Sequence, residues 1–380
     1  MPVVVLSAYQ VATKPEIGGH FWVYMQYAHG LQQLGCDVYW LERVPGAALH
    51  GSRSLISSFL KRMTRYGFGD RTLLYATPEA NGSGRAEFIN TGQNAAEAVF
   101  RRADLLVNFH YSIDPDVLSR FRRTALIDID PGLLQFWISR GQLDVARHDL
   151  YLTIGETVGT PNALIDDCGL PWLRIRPPVC LDMWPYTYEP EARRFTTVSA
   201  WLGGEYVTDN GHILYRNDKS ISFLRFSDLA TRTSSELELS IYLEGRKDRA
   251  DRILLEERGW RIRHALDVAN SPENYRRYIR SSRGEFSCAK PSCVALQNAW
   301  VSDRTLCYLA SGKPVVVQHT GPSTYLPNGA GMFRFATIEE AAEALAIIES
   351  DYERQCRTAR EIAESFFDAR IVLSDILELI

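Results

Sequence analysis

The sequence predicts an α/β fold built on doubly wound parallel sheets, and three observations carry that prediction. Short apolar runs such as Val3–Leu6 and Val315–Val317 read as strands buried on both faces. Helical patterns alternate with such runs along most of the chain, and right-handed crossovers keep strands in these units parallel. A length of 380 residues implies about two domains, and 46% hydrophobic residues can fill two cores.

The elements follow in order. Val3–Leu6 is the first strand, and a polar loop runs from Ala8 to Ile17. Gly18-Gly19-His20 then opens a helix with Trp22, Met25, Leu31 and Leu34 as its apolar positions; Gly35 ends it, and Val38–Leu41 is the second strand. The patterns predict helices over 54–66 and 94–102, strands over 71–75, 104–109, 123–130 and 150–154, and a flexible loop over 80–84. Three strands end in polar groups, His110, Asp130 and Glu156, at the strand ends where such sheets bind ligands. Arg176-Pro177-Pro178-Val179 reads as a stiff crossing, which sets the domains at 1–178 and 179–367. The second domain opens with a strand over 195–201, followed by a glycine-rich polar stretch over 203–219. Strands over 237–243 and 260–263 alternate with helices over 248–257 and 271–280, the latter capped by Ser271. Thr337 and Glu340 form a capping box for a helix over 338–349. A helical pattern covers 352–366, and the tail 368–380 is amphipathic.

The stretch from Gly284 to Gly321 holds the densest chemistry. Ser302 can cap a helix beginning at Asp303, with Leu306, Leu309 and Ala310 as its apolar face. Gly312 ends that helix, Pro314 blocks its restart, and Val315–Val317 is a strand followed by His319-Thr320-Gly321. A helix start rich in hydroxyl, carboxylate and guanidinium groups attracts anions such as phosphate.

Composition narrows the function. A net charge of −4 argues against a nucleic-acid partner, whose binding domains are usually basic. Seven cysteines without a Cys-x-x-Cys pair suggest neither a disulfide framework nor a zinc site, so free thiols in the cytoplasm are expected. The N-terminus reads as a strand and not as a signal peptide, and no apolar run reaches the length of a membrane span. Asn81-Gly82-Ser83 spells a glycosylation sequon, a chance match in a cytosolic chain.

Several segments together resemble the GT-B glycosyltransferases, and within them a bacterial group often labelled family-1 glycosyltransferase. They are GGHFWVYMQYAHGLQQLGCDVYWLE, IDIDPG, HDLYLTIGE, RPPVCLDMW, and EFSCAK with SDRTLCYLASGKPVVVQHTG, whose order and spacing carry the resemblance. It implies two Rossmann-like domains facing across a cleft, with the acceptor on the first, the nucleotide sugar on the second, and a tail helix over 368–380 returning to the first. Leu309–Val315 is similar to the end of a segment that follows two glutamates seven residues apart in retaining members; that pair is absent here, and Ser302-Asp303 stands near the second glutamate's place. The resemblance implies transfer of a sugar from an NDP-sugar to a small-molecule or glycan hydroxyl without a metal; no cofactor and no nucleic-acid partner are expected, and a homodimer is allowed. An epimerase or phosphorylase on the same architecture, and a catalytically degenerate nucleotide-sugar binder, stay open.

Glycosyl transfer needs a leaving diphosphate neutralised and an acceptor hydroxyl deprotonated. Lys290 and Arg304 are the candidates for the diphosphate, each weighed against a surface salt bridge. Asp303 could accept from ribose hydroxyls or serve only as a first-turn charge, and Ser302 could bond phosphate or simply cap. Thr320 and Gly321 are placed to line the donor sugar, and Gly18 and Gly19 could bring backbone N–H groups to the phosphates. His20 and Asp130 compete as the base. Asp128-Ile129-Asp130 spells a metal-binding Asp-x-Asp without convincing surroundings, so no metal is expected.

Overall fold

The structure is a computed structural model that describes residues 1–46, 53–77, 86–203, 206–209, 212–243 and 245–379. The 80–84 loop and the Asn81 sequon lie outside the described residues. The first sheet contains β1 (Val3–Ala8), β2 (Asp37–Arg43), β3 (Thr72–Ala76), β4 (Glu87–Phe88), β5 (Leu105–Asn108), β6 (Thr124–Asp128), β7 (Leu150–Thr153) and β8 (Trp172–Arg174). Their order is β4-β3-β2-β1-β5-β6-β7-β8, parallel throughout except for β4 on β3. Every residue of β1 is buried, as a central strand covered on both faces must be.

The second sheet is a smaller copy of the same plan. It contains β9 (Arg194–Ala200); a separate two-stranded ribbon, β10 (Tyr206–Asp209) and β11 (His212–Arg216), follows. The sheet continues with β12 (Glu236–Tyr242), β13 (Arg261–His264), β14 (Gly284–Ser287), β15 (Val315–Gln318) and β16 (Met332–Phe335), in the order β13-β12-β9-β14-β15-β16, all parallel. The strand order reverses between β1 and β5 in one sheet and between β9 and β14 in the other. These are the topological switch points, beyond whose carboxyl ends ligands bind.

The structure adds what the patterns did not show. β8 falls between the predicted strand over 150–154 and the stiff crossing at Arg176, too short at three residues to announce itself. The ribbon occupies the glycine-rich polar stretch over 203–219, and a helix, Lys219–Arg225, begins at its end, where the patterns placed no element. A ribbon outside the main sheet need not carry the apolar run that marks a buried strand. The pattern over 352–366 is an α-helix, Tyr352–Ile362, that widens into a π-turn over Ala363–Phe367.

The two domains share an apolar seam. The helix Gly18–Gln33 presents Trp22 to Trp184, with ring centroids 5.0 Å apart, and one buried cluster runs from this helix through Leu306–Ala310 to Ile376. Gln26, buried in the seam, accepts from the Cys180 N–H at 2.8 Å and reaches Cys307 Sγ at 3.7 Å. The last helix, Ala369–Leu377, lies on Gly18–Gln33 at Gly30, where a Cβ would stand 2.5 Å from Leu373 Cδ1. Val179 and the returning chain are joined by hydrogen bonds to Phe367 and from Ala369, at 2.7 and 3.0 Å.

Among the described glycines the closest fit is at Gly18, where a Cβ would meet the Ser271 carbonyl oxygen of the other domain at 2.2 Å. Gly18→Ala therefore forces the backbones apart. Chemical denaturation should show a loss of about 1–3 kcal/mol, while Gly92→Ala, with nothing within 4 Å, should stay near the parent value.

Candidate active site

A cavity of ≈ 880 Å³ opens beyond the carboxyl ends of β1, β5 and β6, the switch-point side of the first sheet, and reaches Trp300 and Asp303 of the second domain. From the first domain come Tyr9 and Gln10 beyond β1, Phe109 and His110 beyond β5, and Ile129 and Asp130 beyond β6. His20, Val23, Tyr24 and Tyr27 project from the helix Gly18–Gln33. Trp300 and Asp303 supply the wall from the second domain. Tyr9 and His110 stack at 4.8 Å, and burial, followed by the charge of Arg43, pushes the His110 imidazole down to about 4. Neutral aromatic rings thus form much of the first-domain wall.

Both candidate bases line this cavity. His20 Nε2 lies 2.6 Å from the Tyr9 carbonyl. A carbonyl can only accept, so Nε2 carries the proton and Nδ1 is the basic nitrogen. Burial lowers the imidazole below its ordinary value against the opposing effect of that hydrogen bond, so the ring is neutral near pH 7. Asp130 sits just past β6, where Lys290 Nζ reaches its Oδ1 across the cleft at 3.1 Å. Asp128 parts company with it. The Asp128 carboxylate is buried and accepts from Gln135 and Thr153, each at 2.8 Å, and from the Asp130 N–H at 3.0 Å. Burial pushes it up to about 6 against those hydrogen bonds. The Asp-x-Asp spelling is therefore split: one carboxylate shapes the loop and the other meets a lysine.

The cations also divide. Arg304 was expected on a diphosphate, and the geometry corrects this. Its Nε bonds Glu285 at 2.7 Å, one terminal nitrogen bonds the Val198 carbonyl at 2.9 Å, and the other bonds Ser287 Oγ at 2.6 Å. Both charges of this pair are buried, so the guanidinium is an internal brace. Lys219, absent from the sequence-based candidates, stands near it at the start of the helix Lys219–Arg225. Its ammonium meets no carboxylate among the described residues and lies 6.0 Å from the Trp300 ring centroid. Burial, then the positive charges of Arg304 and Lys290, push it down to about 7. Asp303, pushed up by burial and held back by Arg304 and Lys219, is the carboxylate of this group that faces the cavity.

Of the two readings open for Ser302, its contacts show the cap, and packing accounts for Gly18, Gly19, Thr320 and Gly321. Ser302 is buried and caps its helix, accepting the Arg304 N–H at 3.3 Å. Gly18 and Gly19 abut Ser271 and the Tyr275 ring, so their missing side chains admit the other domain's chain and not a phosphate. Thr320 is buried and its hydroxyl donates to the Trp300 carbonyl at 2.7 Å. Gly321 packs on Gln297, whose carbonyl oxygen would lie 2.5 Å from a Cβ there. Glu156, one of the polar strand ends, accepts from the Thr324 N–H and hydroxyl, each at 2.6 Å, and from Ser323, clasping the second domain.

The sequence held one signal for Lys219. It follows Asn217-Asp218, whose side chains accept the Ser292 N–H at 3.0 Å and the Gly203 N–H at 2.7 Å. Asx residues at a helix start are a readable cap pattern. That the lysine beyond them meets Lys290 and Arg304 depends on strands far apart in sequence.

No family model and no curated protein matches the sequence. Solved structures do match. An α-glucosyltransferase in complex with UDP and a 13-mer DNA containing an HMU base superposes at TM-score 0.62 with 10% identity, over 100% of this chain and 98% of that one. HepE from Anabaena, in complex with UDP and glucose, superposes at 0.57 with 11% identity, over 100% and 99%. A glycosyltransferase from Rickettsia africae superposes at 0.53 with 10% identity, over 100% and 97%. The exclusion of nucleic acid drawn from net charge is thereby overturned, since a protein of this fold is solved with DNA. Net charge sums the whole chain and does not describe one cleft. At 10–11% identity the likeness is one of fold: two Rossmann-like domains facing across a cleft, the GT-B architecture.

Proposed function

We propose that this protein is a glycosyltransferase that moves a sugar from a nucleoside-diphosphate sugar to an acceptor hydroxyl in the interdomain cavity. The observation that carries this reading is the placement of Lys219 and Lys290 on the second domain, near the wall of a cavity whose opposite wall holds His20 and Asp130. Residues 179–367 would hold the nucleotide sugar and 1–178 the acceptor, with 368–380 returning to the first domain. UDP and glucose in one solved relative in fold, and UDP with DNA in another, support a nucleotide-sugar donor.

The chemistry follows from the charges. The acceptor oxygen forms a bond to the anomeric carbon, its proton passes to His20 Nδ1 or the Asp130 carboxylate, and the bond to the diphosphate breaks with its electron pair on the phosphate oxygen. Lys219 and Lys290 neutralise that growing charge, a task that requires no metal where two ammonium groups are preorganised. The diphosphate competes with Asp130 for Lys290, so donor binding releases the Asp130 carboxylate toward the acceptor. The donor is a substrate, and no further cofactor enters. The seven free thiols accord with a cytoplasmic enzyme, and among the described residues no helix is long and apolar enough to cross a membrane.

Nucleotide release from a panel of NDP-sugars, with hydroxylated small molecules, glycans and hydroxymethylated DNA as acceptors and after EDTA treatment, tests the assignment. Lys219→Met and Lys290→Met should each weaken NDP-sugar binding roughly 10- to 100-fold by calorimetry, the worth of a charge-assisted hydrogen bond. Arg304→Met should instead lower folding stability by about 3–5 kcal/mol, because it strands Glu285 in the interior. Asp130→Asn or His20→Ala, whichever removes the base, should cut kcat about 10²- to 10⁴-fold; near-normal rates in both would dismiss them.

A pH dependence is also expected. Lys219 is charged below about 7 and neutral above it in the free protein. NDP-sugar affinity should then be flat below that value and weaken as pH rises beyond it, since the donor's diphosphate does not itself titrate there. Isothermal titrations between pH 6 and pH 9 should show this slope in the parent and not in Lys219→Met.

A further inference from the structure

The turn between the helices Pro291–Leu296 and Asp303–Ala310 holds two left-handed residues, Gln297, which ends the first helix in an αL cap, and Ala299, which no helix end accounts for. Their φ angles are 49° and 56°. Among the described residues only four non-glycine positions are left-handed, and a third, Gln10, lines the cavity from the opposite wall. Side-chain-bearing residues hold this conformation only where their surroundings impose it, and such positions cluster at functional sites.

The surroundings here are specific. Thr320 accepts the Ala299 N–H on its carbonyl at 2.9 Å and donates its hydroxyl to the Trp300 carbonyl at 2.7 Å. Asn298 accepts the Trp300 N–H at 3.0 Å and donates across the cleft to the Pro131 carbonyl at 2.5 Å. Gly321 lets the Gln297 carbonyl approach to a distance no side chain would permit. Every polar backbone group of Trp300 is thus satisfied, yet its side chain is not part of a core. The indole lines the cavity beside Asp303, with the Lys219 ammonium 6.0 Å from its ring, and its N–H finds no acceptor among the described residues. Of the other seven tryptophans, Trp22, Trp40, Trp172, Trp201 and Trp260 donate theirs within the protein, Trp184 is buried in the seam without an acceptor among the described residues, and Trp137 lines the cavity from the first domain.

From this geometry we infer that Trp300 is the specificity-determining residue for the transferred sugar, presented by this turn as a ring on which the apolar face of the hexose stacks. The inference rests on the glycosyltransferase reading. An indole placed between the cation that would hold the diphosphate and the wall that holds the candidate bases is where the sugar of an NDP-sugar must lie. Its face meets C–H groups, its free N–H donates to a hydroxyl, and Asp303 accepts from another. Thr320 is then a positioning residue, acting through the Trp300 backbone and not by touching the sugar.

The test measures how much the sugar adds to binding. The affinities of NDP and of a set of NDP-sugars are determined by calorimetry for the parent, Trp300→Phe, Trp300→Ala and Thr320→Val, with thermal melts confirming the fold of each. In the parent, one NDP-sugar should bind more tightly than NDP. Trp300→Ala should erase that advantage and the ranking among sugars, a loss of roughly 5- to 10-fold for a lost aromatic contact, with NDP itself losing clearly less because Lys219 and Lys290 remain. Trp300→Phe should keep most of the ranking, and Thr320→Val should reproduce part of the loss. The inference is overturned if Trp300→Ala leaves the sugar ranking intact, if NDP and NDP-sugar affinities fall together in folded Trp300→Ala and Trp300→Phe, or if the parent prefers no NDP-sugar over NDP. These are binding measurements, so absence of turnover in the parent would count against the transferase reading alone.

Discussion

The second domain's half of the site depends on one buried ion pair. Arg304 and Glu285 join the first turn of the helix Asp303–Ala310 to β14, and further bonds from the same guanidinium reach Ser287 and the end of β9. β9 and β14 flank the switch point of this sheet, so the brace fixes the helix start against both strands at the place where a ligand would sit. A buried pair of this kind adds little net stability, but removing either partner is costly. Its contribution is placement: it holds the helix start that carries Asp303 to the cavity and stations the guanidinium near Lys219.

That charge has consequences for its neighbours. Lys219, partly removed from water and repelled by Arg304 and Lys290, has a protonated form that is disfavoured until an anion arrives. A diphosphate would relieve the repulsion and complete the charge balance in one step. Lys290 is poised differently, already resting on Asp130 across the cleft. The same contact that holds the domains together without donor also masks a candidate base. The apolar seam around Trp22 and Trp184 keeps the domains packed on the far side of this polar contact. Donor binding can therefore reorganise the polar side while the seam stays shut.

Much of the fold was legible in the sequence. The central strands announced themselves because burial on both faces demands continuous apolar runs, as in Val3–Leu6 and Val315–Val317. Helix ends were legible where local chemistry sets them, as with the Ser271, Ser302 and Thr337 caps, each of which accepts the expected N–H. The site was less so. Arg304 occupied the right place in the sequence for an anion ligand, but a charge beside a helix start can turn inward as readily as outward, and only Glu285 on a distant strand decides which. Glycines at 18 and 19 did mark a close approach, but sequence alone does not say whether a ligand or another backbone approaches. Lys219 lay in a polar stretch with no periodicity, and Trp300 looked like any other apolar residue before a capped helix. Their importance arises from tertiary juxtaposition, which no local pattern encodes.

The most direct test of this account is a crystal structure of the protein with a nucleoside diphosphate bound. The account predicts the diphosphate between the domains, with Lys219 Nζ and Lys290 Nζ within hydrogen-bonding distance of its oxygens and Arg304 still engaged with Glu285. A diphosphate bound away from the two lysines, or one held by Arg304 after release from Glu285, would contradict it.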